Sequence, residues 1–497
     1  MPKFHTVVGR REFMKALGLS GVALGTVAAS APVFHDLDDI IANPSASFKR
    51  PWWVREREFG DPTIEVDWSL ITRQDNTKVM VGGGFGPVVG AELQAKLKAE
   101  TNALQLADVK NNTPGATLRD WALYSACGSF VDQSVMNYVQ PIASWAPGTA
   151  PQVFSWTSVP GPEYFGATKW QGTPEENSKM LRAAMRFMGA SQVQFGELGE
   201  HERKLIFTKH NRTKKEIVFE NVEKAYETTT KHALPDKPLW IVSVAIQMSK
   251  ELFRQGRSPL RTAANGSRYY QWKGVQARTQ AFLNVLGYQG IGYPEFSTGV
   301  ISAQADAILC GFSEGARNNN VSISPEFGTV VGYFSLLTDL PLSPSRPIDA
   351  GFFRFCHTCR KCATECPTQA ISHDSEPSWD IPRSSLAPDK EVTWTMPGKK
   401  VFHTDFPLCF TQFGQHPGCG VCMGTCTFNV NGASAIHEMV KATLSTTSLF
   451  NGFMWKADDA FGYGIIDEGD RELWWDYELP TYGYSTALTS KHGGYNR

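Results

Sequence analysis

The stretch that decides the fold of this chain is Cys356-His-Thr-Cys359-Arg-Lys-Cys362-Ala-Thr-Glu-Cys366-Pro367, with the spacing C-x2-C-x2-C-x3-C-P. In bacterial ferredoxins this spacing places three cysteines on one [4Fe–4S] cluster and the fourth on a second cluster. A related run follows at Cys419, Cys422 and Cys426, and Cys409 lies ten residues before it. The sequence therefore predicts a ferredoxin-like domain that binds two clusters.

Pseudo-symmetry between the two cysteine runs assigns the ligands of each cluster. The first [4Fe–4S] cluster is expected to be bound by Cys356, Cys359, Cys362 and Cys426. The second is expected to be bound by Cys366, Cys409, Cys419 and Cys422. Disulfides and structural zinc are the alternatives. Closely spaced cysteines direct their sulfurs to one point rather than into pairs, and zinc binding does not explain the full spacing.

The composition excludes several classes of function. The 497 residues include 48 Lys and Arg against 49 Asp and Glu, so neither a basic nucleic-acid surface nor an acidic tail is indicated. Hydrophobic residues make up 42% of the chain, which excludes disorder as its main state. The length is enough for two to four structural units. Two clusters connected in series also require a redox site at the end of the electron path. That site is expected upstream of the cysteines.

The N-terminus has the layout of an export signal. Arg10-Arg11 precedes an uncharged run from Ala16 to Ala31 that ends in small residues. Paired arginines predict the twin-arginine pathway, which exports chains that have already folded around their cofactors. A membrane anchor is the alternative, but the run of 16 residues is shorter than the roughly 20 that a spanning helix needs. Cleavage after Ala31 would leave a mildly acidic mature chain.

The middle of the chain predicts a mixed unit of helices and strands before a new unit begins near Gly351. Irregular, wrapping structure is expected over 36–160. The helix and strand predictions comprise a capped helix that starts at Thr173-Pro174 and ends at Gly189, a buried strand at 239–248, a helix at 274–286 and a helical segment at 300–309. The Met and Leu residues of the first helix are expected in the core.

Over nearly its whole length, the chain closely resembles the corrinoid-dependent respiratory reductive dehalogenases of organohalide-respiring bacteria. The matching stretches include RREFMKALGLSG, PWWV, DPTIEVDWSL, LTDLPLSPSRPIDAG and FCHTCRKCATECPTQAISHDSEPSW. The resemblance implies an α+β (α/β) fold, with a nitroreductase-like core that binds a base-off corrinoid and a following ferredoxin-like domain with two [4Fe–4S] clusters. The sequence contains no D-x-H-x-x-G, the pattern by which other corrinoid proteins supply an axial histidine.

The resemblance also implies the domain organisation, the partners and the location. The expected units are a signal peptide at 1–31, a wrapping region at 32–160, the corrinoid core at 161–345, the cluster domain at 346–432 and a C-terminal extension at 433–497. The substrate is expected to be an organohalide, either a chlorinated ethene or a chlorinated arene. A small integral-membrane anchor protein and a respiratory electron donor are the expected partners, at the outer face of the cytoplasmic membrane. No nucleic acid is expected.

By the same resemblance, Tyr269 is the expected proton donor, and its neighbour Tyr270 is the alternative. A basic residue is expected near the tyrosine, but its position in the family pattern is occupied by Gly332. Arg317 or Lys273 is the expected substitute. The remaining corrinoid contacts are expected from Gly299, Glu314 and Pro325.

Two other functions fit parts of the sequence. An epoxyqueuosine-reductase-like enzyme would also use a corrinoid and two clusters, but the export signal and the lack of a basic RNA-binding surface disfavour it. A non-catalytic electron-transfer subunit would contain the clusters without a corrinoid.

Overall fold

A computed structural model describes residues 50–124, 161–293, 298–415, 417–429, 441–444, 464–477 and 482. The predicted signal peptide lies outside the described residues, as does most of the predicted C-terminal extension. Within the described residues, no helix combines the length and apolar character needed to cross a membrane.

Helices and strands alternate along the described parts of the chain. The α-helices are α1 Phe85–Val89, α2 Ala91–Asn111, α3 Pro174–Phe187, α4 Glu200–Arg203, α5 Lys250–Phe253, α6 Pro259–Val285, α7 Ala303–Leu309, α8 Phe352–Thr358, α9 Lys361–Thr364, α10 Phe406–Phe413 and α11 Val421–Gly424. Short 3-10 helices span Met80–Gly82, Pro162–Phe165, Thr427–Asn429 and Glu468–Asp476. The strands are β1 Arg55–Glu56, β2 Gln192–Glu197, β3 Glu216–Glu220, β4 Tyr226–Glu227, β5 Lys231–Pro235, β6 Trp240–Gln247, β7 Gly290–Ile291, β8 Glu314–Gly315, β9 Ser322–Ile323, β10 Val331–Thr338 and β11 Ile348–Asp349. The fold is therefore mixed α+β.

A four-stranded antiparallel sheet with the order β2-β6-β10-β7 forms the centre of the described structure. β6 and β10 pair along their full lengths, from Val331 opposite Gln247 to Thr338 opposite Trp240. All eight residues of β10 are buried, as expected for a strand covered on both faces. The buried strand predicted at 239–248 is confirmed as β6.

The two faces of this sheet pack against different helices. Val244 and Phe334 point to the face covered by α3 and α6, whereas Ala245 and Tyr333 point to the face covered by α7. This alternation is the normal period of a strand. Leu181 and Met185 of α3 are fully buried in the first of these layers, so the prediction that this stripe belongs to the core is confirmed.

Helix boundaries follow from their caps. The predicted start of α3 is confirmed, because Thr173 and Glu176 form a capping box around Pro174. Gly189, with φ +114°, follows its end. The helix predicted at 274–286 is α6, but it begins much earlier, because the side chain of Ser258 caps the backbone and Pro259 occupies the first turn. The helix predicted at 300–309 begins at Ala303.

The segment before the sheet is only partly irregular. The prediction of irregular structure over 36–160 is wrong for α2, a helix of 21 residues that is almost entirely exposed. The stretch before it does wrap over the core. Arg73 donates to the backbone carbonyls of Ile206, Phe207 and Ile217. β1 pairs with β11, which directly precedes the cysteine region.

The cysteine region begins where the sequence predicts a new unit. Gly351 has φ +75°, a left-handed conformation that favours glycine, and α8 starts at the next residue. Short helices α8, α9, α10 and α11 carry or flank the cysteines. Because these helices are short, the cysteines lie close to helix ends, where the chain changes direction.

Candidate functional site

Tyr269 lies on α6 against the central sheet. Its half-buried ring meets Phe334 of β10 edge-on, with the ring centroids 5.6 Å apart. Trp272 and Tyr293 complete the same aromatic wall. The hydroxyl of Tyr269 accepts a hydrogen bond of 3.0 Å from Nη2 of Arg268. A phenol group is thus held beside a cation at the edge of an apolar layer.

Arg268 occupies the space that Gly332 leaves empty. A Cβ atom added to Gly332 would lie 2.4 Å from Cδ of Arg268 and 3.2 Å from its Nη1. Gly332 pairs with Ile246 inside the sheet and is not among the described glycines with positive φ. Its backbone therefore does not require glycine, but the approach of Arg268 does. The side chain that lies against Gly332 is thus itself a cation, and it comes from α6.

Sequence reasoning missed Arg268. The available signal was the combination of an arginine directly before the predicted proton donor and a glycine where a basic residue was expected. The two positions are 64 residues apart in the chain, and only the packing of α6 on β10 shows that they are neighbours.

Arg317, a predicted substitute for the cation, lies in the cysteine region. Its side chain is 1% exposed, and its guanidinium donates to backbone carbonyls of the cysteine region at 2.6 to 3.2 Å. The acceptors are the carbonyls of Cys356, His357, Cys359, Ser372 and Asp374. Phe402 covers the guanidinium, with 3.9 Å between Cζ and the ring centroid. In this structure the guanidinium connects segments of the cysteine region, and a catalytic role for Arg317 stays a prediction.

Tyr270 points elsewhere than Tyr269. Adjacent residues of a helix face directions about 100° apart. The ring of Tyr270 lies near Tyr482, with 6.4 Å between centroids, whereas Tyr269 contacts Phe334. Of the two predicted donors, Tyr269 is the one whose hydroxyl is hydrogen-bonded to Arg268, and the choice between them stays a prediction.

The three predicted corrinoid contacts lie in separate places. A Cβ at Gly299 would meet the ring of Tyr293 at 2.4 Å, so this glycine supports the aromatic wall. The carboxylate of Glu314 accepts a 2.6 Å hydrogen bond from the backbone N–H of Phe352, at the start of α8. The carbonyl of Pro325 accepts a hydrogen bond of 2.8 Å from Nζ of Lys441. Glu314 and Pro325 thus contact other parts of the protein in this structure, and Gly299 acts through Tyr293.

The clustered cysteines lie close enough to influence one another. Burial raises the pKa of Cys356 and Cys362, and the charges of Cys359 and Cys426 raise both further. Burial also raises the pKa of Cys409 and Cys422, and each is raised further by the charges of Cys419 and Cys366. No described cysteine forms a disulfide. Because Cys422 also raises the pKa of Cys362, the cysteines form one continuous neighbourhood, and their division into two ligand sets stays a prediction.

The residues present have the chemistry that the implied cofactors need. Each predicted ligand set has four cysteines, the number that a [4Fe–4S] cluster requires. Among the described residues, no three or more His, Cys, Asp or Glu side chains are arranged to hold a single metal ion. Near Tyr269, the buried atoms Arg268 Nε and Trp272 Nε1 have no hydrogen-bond partner among the described residues. Unpaired buried donors of this kind suit a ligand with polar substituents, such as a corrinoid ring.

The family match and the full-length sequence comparison identify the same group of relatives. The reductive dehalogenase subunit family matches residues 49–342. The chloroethene reductive dehalogenase of Dehalococcoides mccartyi strain VS is 30% identical over 97% of this chain and 99% of its own length. An epoxyqueuosine reductase of Atelocyanobacterium thalassa is 34% identical, but over 22% of this chain and 38% of its own length.

A solved reductive dehalogenase, whose structure suggests a mechanism for B12-dependent dehalogenation, has a similar fold. It aligns with a TM-score of 0.57 at 17% identity and covers 84% of this chain. The present chain spans about half (49%) of that structure's length. At this identity the likeness concerns the fold alone.

Proposed function

The chain belongs to the reductive dehalogenase family and is an oxidoreductase that removes halogen reductively, and we propose that its substrate is a chlorinated ethene. The single observation that carries the substrate class is the near-complete alignment with a chloroethene reductive dehalogenase. The sequence leaves chlorinated ethenes and arenes open, and this relative favours the ethene. The match to epoxyqueuosine reductase covers less than a quarter of the chain, so that alternative is not favoured.

The proposed cofactors are two [4Fe–4S] clusters and a base-off corrinoid. Cys356, Cys359, Cys362 and Cys426 would hold one cluster, and Cys366, Cys409, Cys419 and Cys422 the other. A bound corrinoid supplies the reduced cobalt chemistry that breaks a carbon–halogen bond. The proximity of the clustered cysteines supports cluster binding, and their division into two sets rests on the sequence spacing. The unpaired donors near Tyr269 support a polar ligand there.

The proposed role of Tyr269 is to donate the proton that replaces the halogen. An ordinary tyrosine has a pKa of about 10, so proton transfer from its hydroxyl requires a group that stabilises the phenolate. Arg268 supplies that group, because its guanidinium already donates to the hydroxyl at 3.0 Å. The aromatic wall of Trp272, Tyr293 and Phe334 excludes water from one side of the pair. An apolar halocarbon fits such a wall.

We also propose export by the twin-arginine pathway and attachment to the outer face of the cytoplasmic membrane through a small integral-membrane partner. Arg10-Arg11 and the following apolar run support the export step. A respiratory donor would deliver electrons to the clusters. Immunoblots of cell fractions before and after deletion of residues 1–31 test this location. Cytoplasmic protein in both strains would contradict it.

The experiment that tests the function uses the full chain, reconstituted anaerobically with corrinoid and iron. Chloride release from chlorinated ethenes and from chlorinated arenes is measured with reduced viologen as electron donor. We expect about eight irons and one cobalt per chain, together with turnover of the ethenes. Eight irons without cobalt or turnover would instead indicate an electron-transfer subunit. Turnover restricted to arenes would overturn the substrate class.

A further inference from the structure

A second arginine of α6, Arg261, lies against the loop that carries Cys419. Its side chain is 2% exposed. The guanidinium lies over two aromatic rings, with its Cζ 5.0 Å from the centroid of Phe253 and 5.9 Å from that of Phe413. Arg261 therefore enters the cysteine region from the corrinoid core as a buried cation.

Two glycines make room for this cation on either side of Cys419. A Cβ at Gly420 would lie 2.2 Å from Nε of Arg261, and a Cβ at Gly418 would lie 3.2 Å from its Nη1. Gly418 has φ +85° and is favoured by its backbone conformation as well. Gly420 has φ −141°, which any residue adopts. The close approach of Arg261 is thus what requires glycine at position 420.

The guanidinium has an unused donor. Nε of Arg261 is buried, and no acceptor among the described residues lies within hydrogen-bond distance of it. Nη1 reaches only Oγ1 of Thr262, at 3.5 Å. A buried N–H group without an acceptor is unfavourable unless a ligand completes it.

Negative charge near Arg261 would come from the second predicted ligand set. The guanidinium packs against Gly418 and Gly420, the residues on either side of the proposed cluster ligand Cys419. An anionic cluster held by Cys419 and the other cysteines of its set would bring negative charge close to this guanidinium. The position of Arg261, its charge and its unpaired Nε donor all indicate that it acts on the cluster bound by Cys419.

We propose that Arg261 raises the reduction potential of the cluster held by Cys366, Cys409, Cys419 and Cys422. This inference rests on the proposed binding of two clusters. Reduction adds one negative charge to a cluster, so a nearby cation and an N–H donor to its sulfurs stabilise the reduced form. Arg261 is then a tuning residue: with the arginine in place, this cluster is easier to reduce than it would be without it.

The test is a redox titration of the reconstituted full chain followed by electron paramagnetic resonance. Arg261→Gln removes the charge, and Arg261→Lys retains it. Arg278→Gln, on the exposed part of the same helix, is the control. We expect Arg261→Gln to weaken one-electron reduction of one cluster about tenfold, a shift of about 59 mV to more negative potential. The other cluster is expected to remain unchanged, as are both clusters in Arg278→Gln.

The outcomes separate this inference from the proposed function. Wild-type protein without iron would overturn cluster binding and the tuning role with it. Full iron content in Arg261→Gln with unchanged potentials would overturn the tuning role alone. If Arg261→Gln fails to retain iron, Arg261→Met decides, because it removes the charge and the donor while it keeps a long side chain. A negative shift confined to one cluster in Arg261→Met supports the tuning role, and unchanged potentials refute it. Arg261→Lys is expected to keep most of the wild-type potential.

Discussion

The cysteine region and the region around the central sheet both contain buried arginines, but the two regions use them differently. In the cysteine region, all three guanidinium nitrogens of Arg317 donate to backbone carbonyls. On α6, Arg261 and Arg268 each retain a buried Nε without a partner among the described residues. A saturated guanidinium connects segments of the chain. An unsaturated one is available to act on a neighbouring group.

The glycines opposite these side chains support the distinction. Arg261 faces Gly420 and Arg268 faces Gly332, and neither glycine is required by its own φ. Arg261 and Arg268 are seven residues apart, about two helical turns or 10 Å along α6. One face of a single helix therefore presents a cation to the second predicted ligand set and another to Tyr269. Changes on this face should affect chemistry, and changes at Arg317 should affect stability.

The largest effect is expected from Tyr269→Phe, which removes the proposed proton donor and retains the aromatic packing. We expect dehalogenation to fall by about 10² to 10⁴-fold, the usual contribution of general acid catalysis. Cobalt content, iron content and melting temperature should not change. Tyr270→Phe is the matched control, since its ring lies near Tyr482, and it should retain most of the activity. Equal losses in both variants would refute the assignment.

Arg317→Gln should separate the two regions by its effect on stability. The variant leaves several carbonyls of the cysteine region without a donor, and hydrogen bonds to charged groups contribute about 1.5 to 3 kcal/mol each. We expect a loss of at least about 3 kcal/mol in the free energy of unfolding, measured by denaturant titration. Arg354→Gln is the control, because its ion pair with Asp349 is largely exposed on the arginine side and should contribute less than about 1 kcal/mol.

Much of the fold follows from local sequence signals. The capping box at Thr173 and Glu176 and the uniformly apolar β6 are local patterns, and the structure confirms both. The start of α6 was missed because the hydrophobic pattern weakens before Gly274. There, Ser258 and Pro259 act through capping rather than through periodicity. The helix α2 was missed because it is exposed and has no strong apolar face.

The candidate site was only partly predictable from the sequence, because some of its contacts join residues that are distant in the chain. Tyr269 and the cysteine sets follow from motifs within short windows, and their proposed roles rest on those motifs. The substitution of Arg268 for a cation at position 332 depends on contact between α6 and β10, which no local window contains. Arg317 has the right charge and lies in a matching motif. Nothing local shows that backbone carbonyls occupy it.

The α6 face is tested further by moving its cation. Arg268→Ala removes the donor to Tyr269, and we expect a loss of about 10 to 100-fold in turnover, since a charged hydrogen bond contributes about 1.5 to 3 kcal/mol. The double variant Arg268→Ala/Gly332→Arg places a guanidinium on β10 instead. Activity is expected to recover at least in part. Gly332→Arg alone should be damaging, because its Cβ would lie 2.4 Å from Arg268. A double variant no better than Arg268→Ala would contradict the interpretation.

The smallest effect concerns Glu314, which connects β8 to the start of the cysteine region. Burial and, to a lesser degree, the charge of Asp349 raise the pKa of Glu314 to about 7. The folded-state pKa lies above the unfolded value of about 4.3, so folding binds a proton. The resulting contribution to stability is fully present below about pH 4.3 and is lost as the pH rises through about 7. Glu314→Gln retains an acceptor for the N–H of Phe352 without a titratable group. The melting temperature of the wild type should therefore fall more steeply than that of Glu314→Gln between about pH 5 and pH 8. Parallel profiles would show that Glu314 does not titrate in this range.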